Sequence, residues 1–287
     1  MSIRVVLVPL FGRQEDLVAL NAACHVARRF EGRLIGLFAA PAPADLVPFV
    51  AEGISAAAVE QLVQAAEQET SRRRDEARDH FRSVCEAAGV PIVDDAEEAA
   101  GFAAHPTQAV GRREEVIPLR ARVADITVFS RGSELADLEQ AAIEATLFGA
   151  GRPVIVVPRG WTGSIGHRIA IAWNGSREAA RALASAMPLL EPAISIHVLA
   201  AETGRTNFEM THDVSAYLKL HGLRCERLAV QAENGSAAAA ILRQAQDLEV
   251  DLLVMGGYGR SRLAELVLGG VTRHVLSHSE LPVLLDH

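Results

Sequence analysis

The sequence predicts an α/β fold in two tandem copies, each a parallel sheet covered on both faces by helices. Two observations carry this. Short, continuously apolar runs rich in β-branched residues alternate with amphipathic stretches, the pattern of parallel strands buried on both faces and joined by helical crossovers. The chain also says the same thing twice. Ile3-Arg4-Val5-Val6-Leu7-Val8-Pro9 matches His167-Arg168-Ile169-Ala170-Ile171-Ala172-Trp173, and Asp125-Ile126-Thr127-Val128-Phe129 matches Asp251-Leu252-Leu253-Val254-Met255. The closing runs match best, Arg152-Pro153-Val154-Ile155-Val156-Val157 against Leu281-Pro282-Val283-Leu284-Leu285. The copies are expected at 1–158 and 168–287, joined by a glycine-rich linker at 159–167 that lacks periodicity.

In the first copy, the opening strand is followed by a helix whose apolar face is Leu17, Leu20, Cys24 and Ala27, at intervals of three and four. A strand at Leu34 to Phe38 leads into a long helical segment, Glu52 to Ala88, rich in Ala, Glu, Gln and Arg. A short strand is expected at Pro91 to Val93, a helix around Thr107 to Arg122, and a strand at 126–129. In the second copy Ser176 can cap a helix through about Leu190. A strand at Ile194 to Leu199, a helix around Tyr217 (Asp213 to His221), a strand at Arg227 to Gln231, a helix at Ser236 to Leu248 and a strand at 252–255 follow. The length excess of the first copy lies in its long helical segment.

With 287 residues, 49% of them apolar and 22% charged, the chain can bury a large core. A net charge of -8, from 28 Lys+Arg against 36 Asp+Glu, provides no basic footprint for nucleic acid or an anionic membrane surface. Arg72-Arg73-Arg74 stands beside Asp75 and Glu76 and reads as a solvated helix face. The three cysteines, Cys24, Cys85 and Cys225, are odd in number and far apart, and are expected as buried thiols. No run approaches the roughly 18 apolar residues of a membrane span. The opening apolar run is cut short by Arg13, Glu15 and Asp16 and lacks the pattern of a secretory signal, so the cytoplasm is the expected location.

Chemistry concentrates between Val250 and Val275. A buried strand, Leu252 to Met255, enters a loop with Gly256, Gly257 and Gly259, and a second glycine pair, Gly269-Gly270, opens a helix over Val271 to His278. Glycines let a ligand approach the main chain closely, and the first N–H groups of a helix have no partner inside it and point outward as anion donors. Gly257-Tyr258-Gly259 is followed by Arg262 where a dinucleotide fingerprint needs its third glycine, and no Gly-Lys-Ser/Thr of a P-loop occurs. In an open parallel sheet, ligands sit beyond the carboxyl ends of the strands where strand order reverses. The glycine loop and the turn Trp173-Asn174-Gly175-Ser176 both lie at that edge. Tyr258 and Arg260 fit ligand contacts and exposed loop positions equally well. His274 and His278 stand four apart but lack the carboxylate of an H-E-x-x-H motif, so a solvated helix face is expected in place of a metal site.

The spacing G-x2-G-x9-G from Gly256 to Gly259 to Gly269, with Thr272 and the closing strand Pro282-Val283-Leu284-Leu285, closely resembles the nucleotide-binding signature of the universal stress protein family. The resemblance implies five parallel strands per domain, in an adenine-nucleotide-hydrolase-like (Rossmann-like) sandwich, and a bound ATP, with or without Mg²⁺. It places the adenine at the end of the first strand, on Ala172 and Asn174, with Val198 lining the base pocket. Ribose and phosphates fall to Gly256, Gly257, Gly259 and Arg260, and to Gly269, Gly270, Val271 and Thr272. Two positions depart from the family pattern: Asn174 replaces the usual Asp, and Gly270 replaces the Ser or Thr after the third glycine. Asn keeps a carbonyl acceptor of similar reach, whereas Gly270 deletes a hydroxyl, a loss of about 1–3 kcal/mol or roughly five- to a hundredfold in affinity. Thr272 can restore one.

The first copy has no carboxylate at its strand end, Val8-Pro9-Leu10-Phe11, and only Gly132 in its Phe129-Ser130-Arg131-Gly132 loop. It is expected to keep the fold without the nucleotide site. No nucleophile elbow or nucleotidyltransferase motif is present, so the expected activity is nucleotide binding in a stress response, with slow ATP hydrolysis at most. The rival reading is a ligand-free tandem scaffold. The resemblance also implies that the closing strands of the two copies pair within the chain, with any homodimer using another surface.

Overall fold

The computed structural model describes residues 2–42, 56–95, 101–131, 137–203, 206–232, 236–257 and 270–287. The chain divides into two compact units, Ile3–Ala150 and Gly151–His287. Both are layered α/β structures built on parallel strands.

The Ile3–Ala150 unit contains β1 (Val5–Leu10), α1 (Glu15–Arg29), β2 (Arg33–Ala40), α2 (Ala56–Ala87), β3 (Ala103–Val110), α3 (Arg113–Ala121), β4 (Ile126–Ser130) and α4 (Asp137–Gly149). Its strands run parallel in the order β3-β2-β1-β4. Helix α1 buries Ala19, Leu20, Ala23, Cys24 and Ala27, the three-and-four spacing its sequence shows. Helix α2 sends Ala77, Phe81, Val84 and Cys85 into the core. Cys24 is buried there too, and burial pushes its thiol up to about 12. Cys225, in the other unit, is half-buried.

One segment differs from its sequence expectation. Residues 91–93 supply a single bridge, Ile92 to Ala104, and the third strand is β3, ten residues further on. The helix expected from Thr107 begins at Arg113. After Ala103 and Ala104 the residues of β3 alternate between half-buried and exposed, because the strand lies at the sheet edge. Polar outward positions erase the continuous apolar run that marks a central parallel strand, and Pro106 is tolerated at an edge.

The Gly151–His287 unit contains β5 (Val154–Val157), β6 (Arg168–Ala172), α5 (Arg177–Leu190), β7 (Ser195–Glu202), a 3₁₀ turn at Phe208–Met210, α6 (Thr211–Leu220), β8 (Glu226–Gln231), α7 (Ala237–Asp247), β9 (Leu252–Gly256), α8 (Gly270–His278) and β10 (Val283–Asp286). Its strand order is β5-β10-β9-β6-β7-β8. Five strands are parallel, and β5 joins antiparallel to β10 through Val283↔Val156, Leu284↔Ile155 and Leu285↔Val154. The closing strands of the two sequence repeats therefore pair with each other, and this pairing groups β5 with the later strands. Their apolar residues are fully covered, Leu284 and Ile155 being 0% exposed.

Strands β1 and β6, the first of each sequence repeat, open in the same way. The Asp125 carboxylate accepts the N–H groups of Arg4 (2.6 Å) and Val5 (2.9 Å). The Asp251 carboxylate accepts those of His167 (3.0 Å) and Arg168 (2.9 Å). The Asp that begins each repeat-matched strand thus satisfies main-chain donors that the first turn of the sheet leaves unpaired. Among the described residues no helix is long and apolar enough to cross a membrane.

Candidate functional site

In the Gly151–His287 unit, β6 has β7 on one side and β9 on the other, so strand order reverses there. A cavity of about 420 Å³ opens beyond the carboxyl ends of these three strands. That is the place and the size expected of a small-molecule site in such a sheet.

Each wall has a local cause. After β6 the chain turns through Trp173, Asn174 and Gly175 into α5. The Asn174 Oδ1 accepts the Ser176 N–H (3.0 Å), and the Ser176 hydroxyl oxygen accepts the N–H of Ala179 (3.1 Å), capping the helix. This pins the strand end. The Asn174 carbonyl therefore already spends one lone pair inside the turn and keeps the other. The second wall is the end of β7 and the turn beyond it, where Ala201, Thr203 and Thr206 line the cavity. The Thr203 and Thr206 hydroxyls stand 2.8 Å apart, and the Thr206 hydroxyl donates to the Ala201 carbonyl.

The third wall is Met255 and Gly256 at the end of β9, and the fourth is the start of α8, Gly270 to Thr272. Gly256 owes its identity to packing: a Cβ there would lie 2.5 Å from the Ala179 nitrogen and 2.6 Å from the Glu178 carbonyl carbon. A Cβ at Gly270 would meet nothing within 4 Å among the described residues. Thr272 is nearly fully buried, whereas Val271 is exposed. Ala237 and Ile241 of α7 close the floor, with Ser236 capping that helix through the Ala239 N–H (3.2 Å). Among the described lining residues none carries a charge, so the donors an anion would meet are neutral: the Asn174 amide, the hydroxyls of Ser176, Thr203, Thr206 and Thr272, and main-chain N–H groups from Gly270 to Thr272.

Of the residues singled out from sequence, Ala172, Asn174, Gly256, Gly270, Val271 and Thr272 come together on this cavity. Gly257 is buried one residue past it, its N–H donating to the Asp286 carbonyl (2.8 Å). Val198 is fully buried inside the sheet between Ile171 and Arg227 and does not line the cavity. Strand β7 runs three residues beyond the Leu199 end expected from sequence, so the rim position passes to Ala201. Tyr258, Gly259, Arg260 and Gly269 lie outside the described residues. His274 and His278 stack with ring centroids 4.2 Å apart, and the His278 Nδ1 stands 2.9 Å from the His274 carbonyl oxygen. Thr203, Thr206 and Ile241 carried no sequence signal of a site.

Comparison with known proteins agrees with this geometry. Residues 166–287 match the Universal stress protein family model. A universal stress protein of Synechocystis is 26% identical over 165 residues, 56% of this chain and 57% of the relative. One of Methanocaldococcus jannaschii is 42% identical over 45 residues, 16% of this chain and 28% of the relative. The chain thus spans less than two thirds of the length of either curated relative. Among solved structures, a universal stress protein from Archaeoglobus fulgidus superposes with a TM-score of 0.69 at 16% identity, over 98% of this chain and 97% of that one, and so shares its fold.

Proposed function

We propose, from the match of residues 166–287 to the universal stress protein family model, that this domain binds an adenine nucleotide, ATP foremost, and acts in a stress response through binding and not turnover. One observation carries the reading: the turn after β6, the end of β9 and the start of α8 converge on one cavity of about 420 Å³ at the point where strand order reverses. The residues present fit such a ligand. Ala172, Ala201, Ile241 and Met255 form an apolar lining suited to a base, and Asn174 retains an acceptor and two donors at the strand end. Gly270 to Thr272 bring main-chain N–H groups of α8 to the cavity, donors of the kind that suit phosphate oxygens. Gly256 leaves backbone at the rim where a side chain would intrude. Gly269, the third glycine of the spacing, precedes that helix.

When bound, ATP supplies the negative charge that the start of α8 is built to receive. Hydrolysis would need a positioned water and a charged group to stabilise the transition state. Among the described lining residues no such charged side chain is present, and only Thr272 offers a hydroxyl beside the phosphates. The reading is therefore a nucleotide-responsive protein of the cytoplasm, with Mg²⁺ arriving on the nucleotide.

Two measurements test it. Full-length protein purified from cells and denatured should release ATP or a related nucleotide. Calorimetry should give one ATP site per chain, abolished in a folded Gly269→Val variant. Protein that releases no nucleotide and shows no ATP binding would favour the scaffold reading instead.

A further inference from the structure

The Ile3–Ala150 unit, expected from sequence to keep the fold without a nucleotide site, has a cavity of its own of about 270 Å³, and its lining is charged. Arg13 enters from the turn after β1, Arg73 from α2 and Arg113 from the first residue of α3. Phe38 and Pro41, at and just beyond the end of β2, and Ala66, Glu69 and Thr70 of α2 complete the lining, so one carboxylate shares the cavity with the three guanidinium groups. Three elements thus bring three guanidinium groups to the carboxyl edge of the sheet.

Two of the three already have carboxylate partners. Arg13 pairs with the buried Glu139 (2.7 Å), and Arg73 pairs with Glu69 (2.6 Å), which also holds Arg72 (2.7 Å). Arg113 has none among the described residues. Its guanidinium carbon stands over the Phe11 ring, 5.1 Å from the centroid. Burial, and then the charges of Arg73 and Arg13, push its pKa down. A half-buried cation beside two other guanidinium groups, steadied by the Phe11 ring and by the charges of Glu114 and Glu139, is one that an incoming anion would stabilise further.

The arrangement is held rigidly. A Cβ on Gly12, whose φ is +66°, would meet the Arg73 carbonyl oxygen, so α2 lies directly on the turn after β1. The Asp16 carboxylate accepts the N–H groups of Phe11 (3.1 Å), Gly12 (2.8 Å) and Arg13 (3.2 Å). The turn's own donors are thereby used up internally, and the ligand-facing groups in this unit are side chains.

We propose that Arg13, Arg73 and Arg113 form a second binding site, for the phosphate group of a small phosphorylated molecule. Guanidinium forks match the geometry of phosphate oxygens, and a phosphate with several non-bridging oxygens can be shared by three of them. Phe38 and Pro41 provide an apolar wall for a small organic remainder. The cavity is about two thirds the size of the one in the other unit, so its occupant is smaller than ATP.

Inorganic pyrophosphate is the probe, titrated by calorimetry into the full chain at physiological salt, with citrate as the carboxylate control. Wild type should bind pyrophosphate and bind citrate at least tenfold more weakly. Arg113→Gln and Arg73→Gln should each weaken pyrophosphate binding at least tenfold. Neither strands a buried carboxylate, since Arg113 has no carboxylate partner among the described residues and Glu69 keeps Arg72, so both should fold, and Arg113→Gln alone should not lower the melting temperature. Binding should persist in Gly269→Val, which separates this site from the nucleotide cavity. The proposal fails if wild type does not bind pyrophosphate at millimolar concentration, if citrate binds as tightly, if both arginine variants bind as wild type does, or if Gly269→Val abolishes binding.

Discussion

The α-carbon of Gly256 at the end of β9 faces the amide nitrogen of Ala179 in the first turn of α5 so closely that a methyl group on it would come within 2.5 Å. Backbone, not a movable side chain, occupies the space. Gly256→Ala must therefore push α5 away from the sheet, and the cap at Ser176 and the Asn174 turn move with it. Overpacking of this kind costs about 1–3 kcal/mol. Urea denaturation should show that loss, and ATP binding should weaken; a variant with the wild-type midpoint would mean that the helix yields freely.

Gly270 is the opposite case, since a Cβ there would touch none of the described residues. Gly270→Ser should restore a hydroxyl beside the start of α8 without strain. The expected gain is the hydrogen bond the chain now lacks, about 1–3 kcal/mol, or roughly five- to a hundredfold tighter ATP binding by calorimetry. Equal affinities would show that phosphates do not lie beside this helix start.

His80 of α2 lies 4.0 Å from the buried Asp16 carboxylate, an ionic contact between that helix and the first turn of α1. Asp16 raises the His80 pKa against the opposing effect of burial, and Glu76 and Asp79 add to the rise. A group whose pKa is higher in the folded state contributes stability that is fully present below its unfolded value, about 6.5, and lost as pH rises through the folded value. The stability difference between wild type and His80→Gln should therefore favour wild type near pH 6 and shrink toward pH 8. Urea midpoints across that range measure it, and a difference independent of pH would remove His80 from this role.

Leu284 of β10 is fully buried opposite Ile155 of β5. Leu284→Ala should cost about 2–5 kcal/mol through the cavity it leaves. Leu284→Glu should cost more, because it strands a carboxylate between two apolar strands. A Leu284→Glu chain with the urea midpoint of wild type would show that this pairing does not support the unit in solution.

The α/β class, the repeat and most elements were legible in the sequence because buried parallel strands advertise themselves as continuous apolar runs and helices as three-and-four spacing. Strand β3 was not, since at the sheet edge Thr107 and Gln108 satisfy no apolar pattern. Asn174, Gly256 and Gly270 to Thr272 were expected at one site because the glycine spacing resembles a family signature and because ligands in such sheets sit beyond the carboxyl ends of the strands. Whether Gly256 serves a ligand or the packing of α5, and that Ala201 in place of Val198 reaches the rim, depended on how far β7 runs and where α5 settles. The three arginines of the other unit show the same limit most sharply. Arg13, Arg73 and Arg113 are separated by 60 and 40 positions in the chain, and Arg73 sits in a run that reads as an ordinary solvated helix face. Local pattern reports which face of an element is apolar; only the packing of α2 and α3 against the turn after β1 decides which of its charges meet.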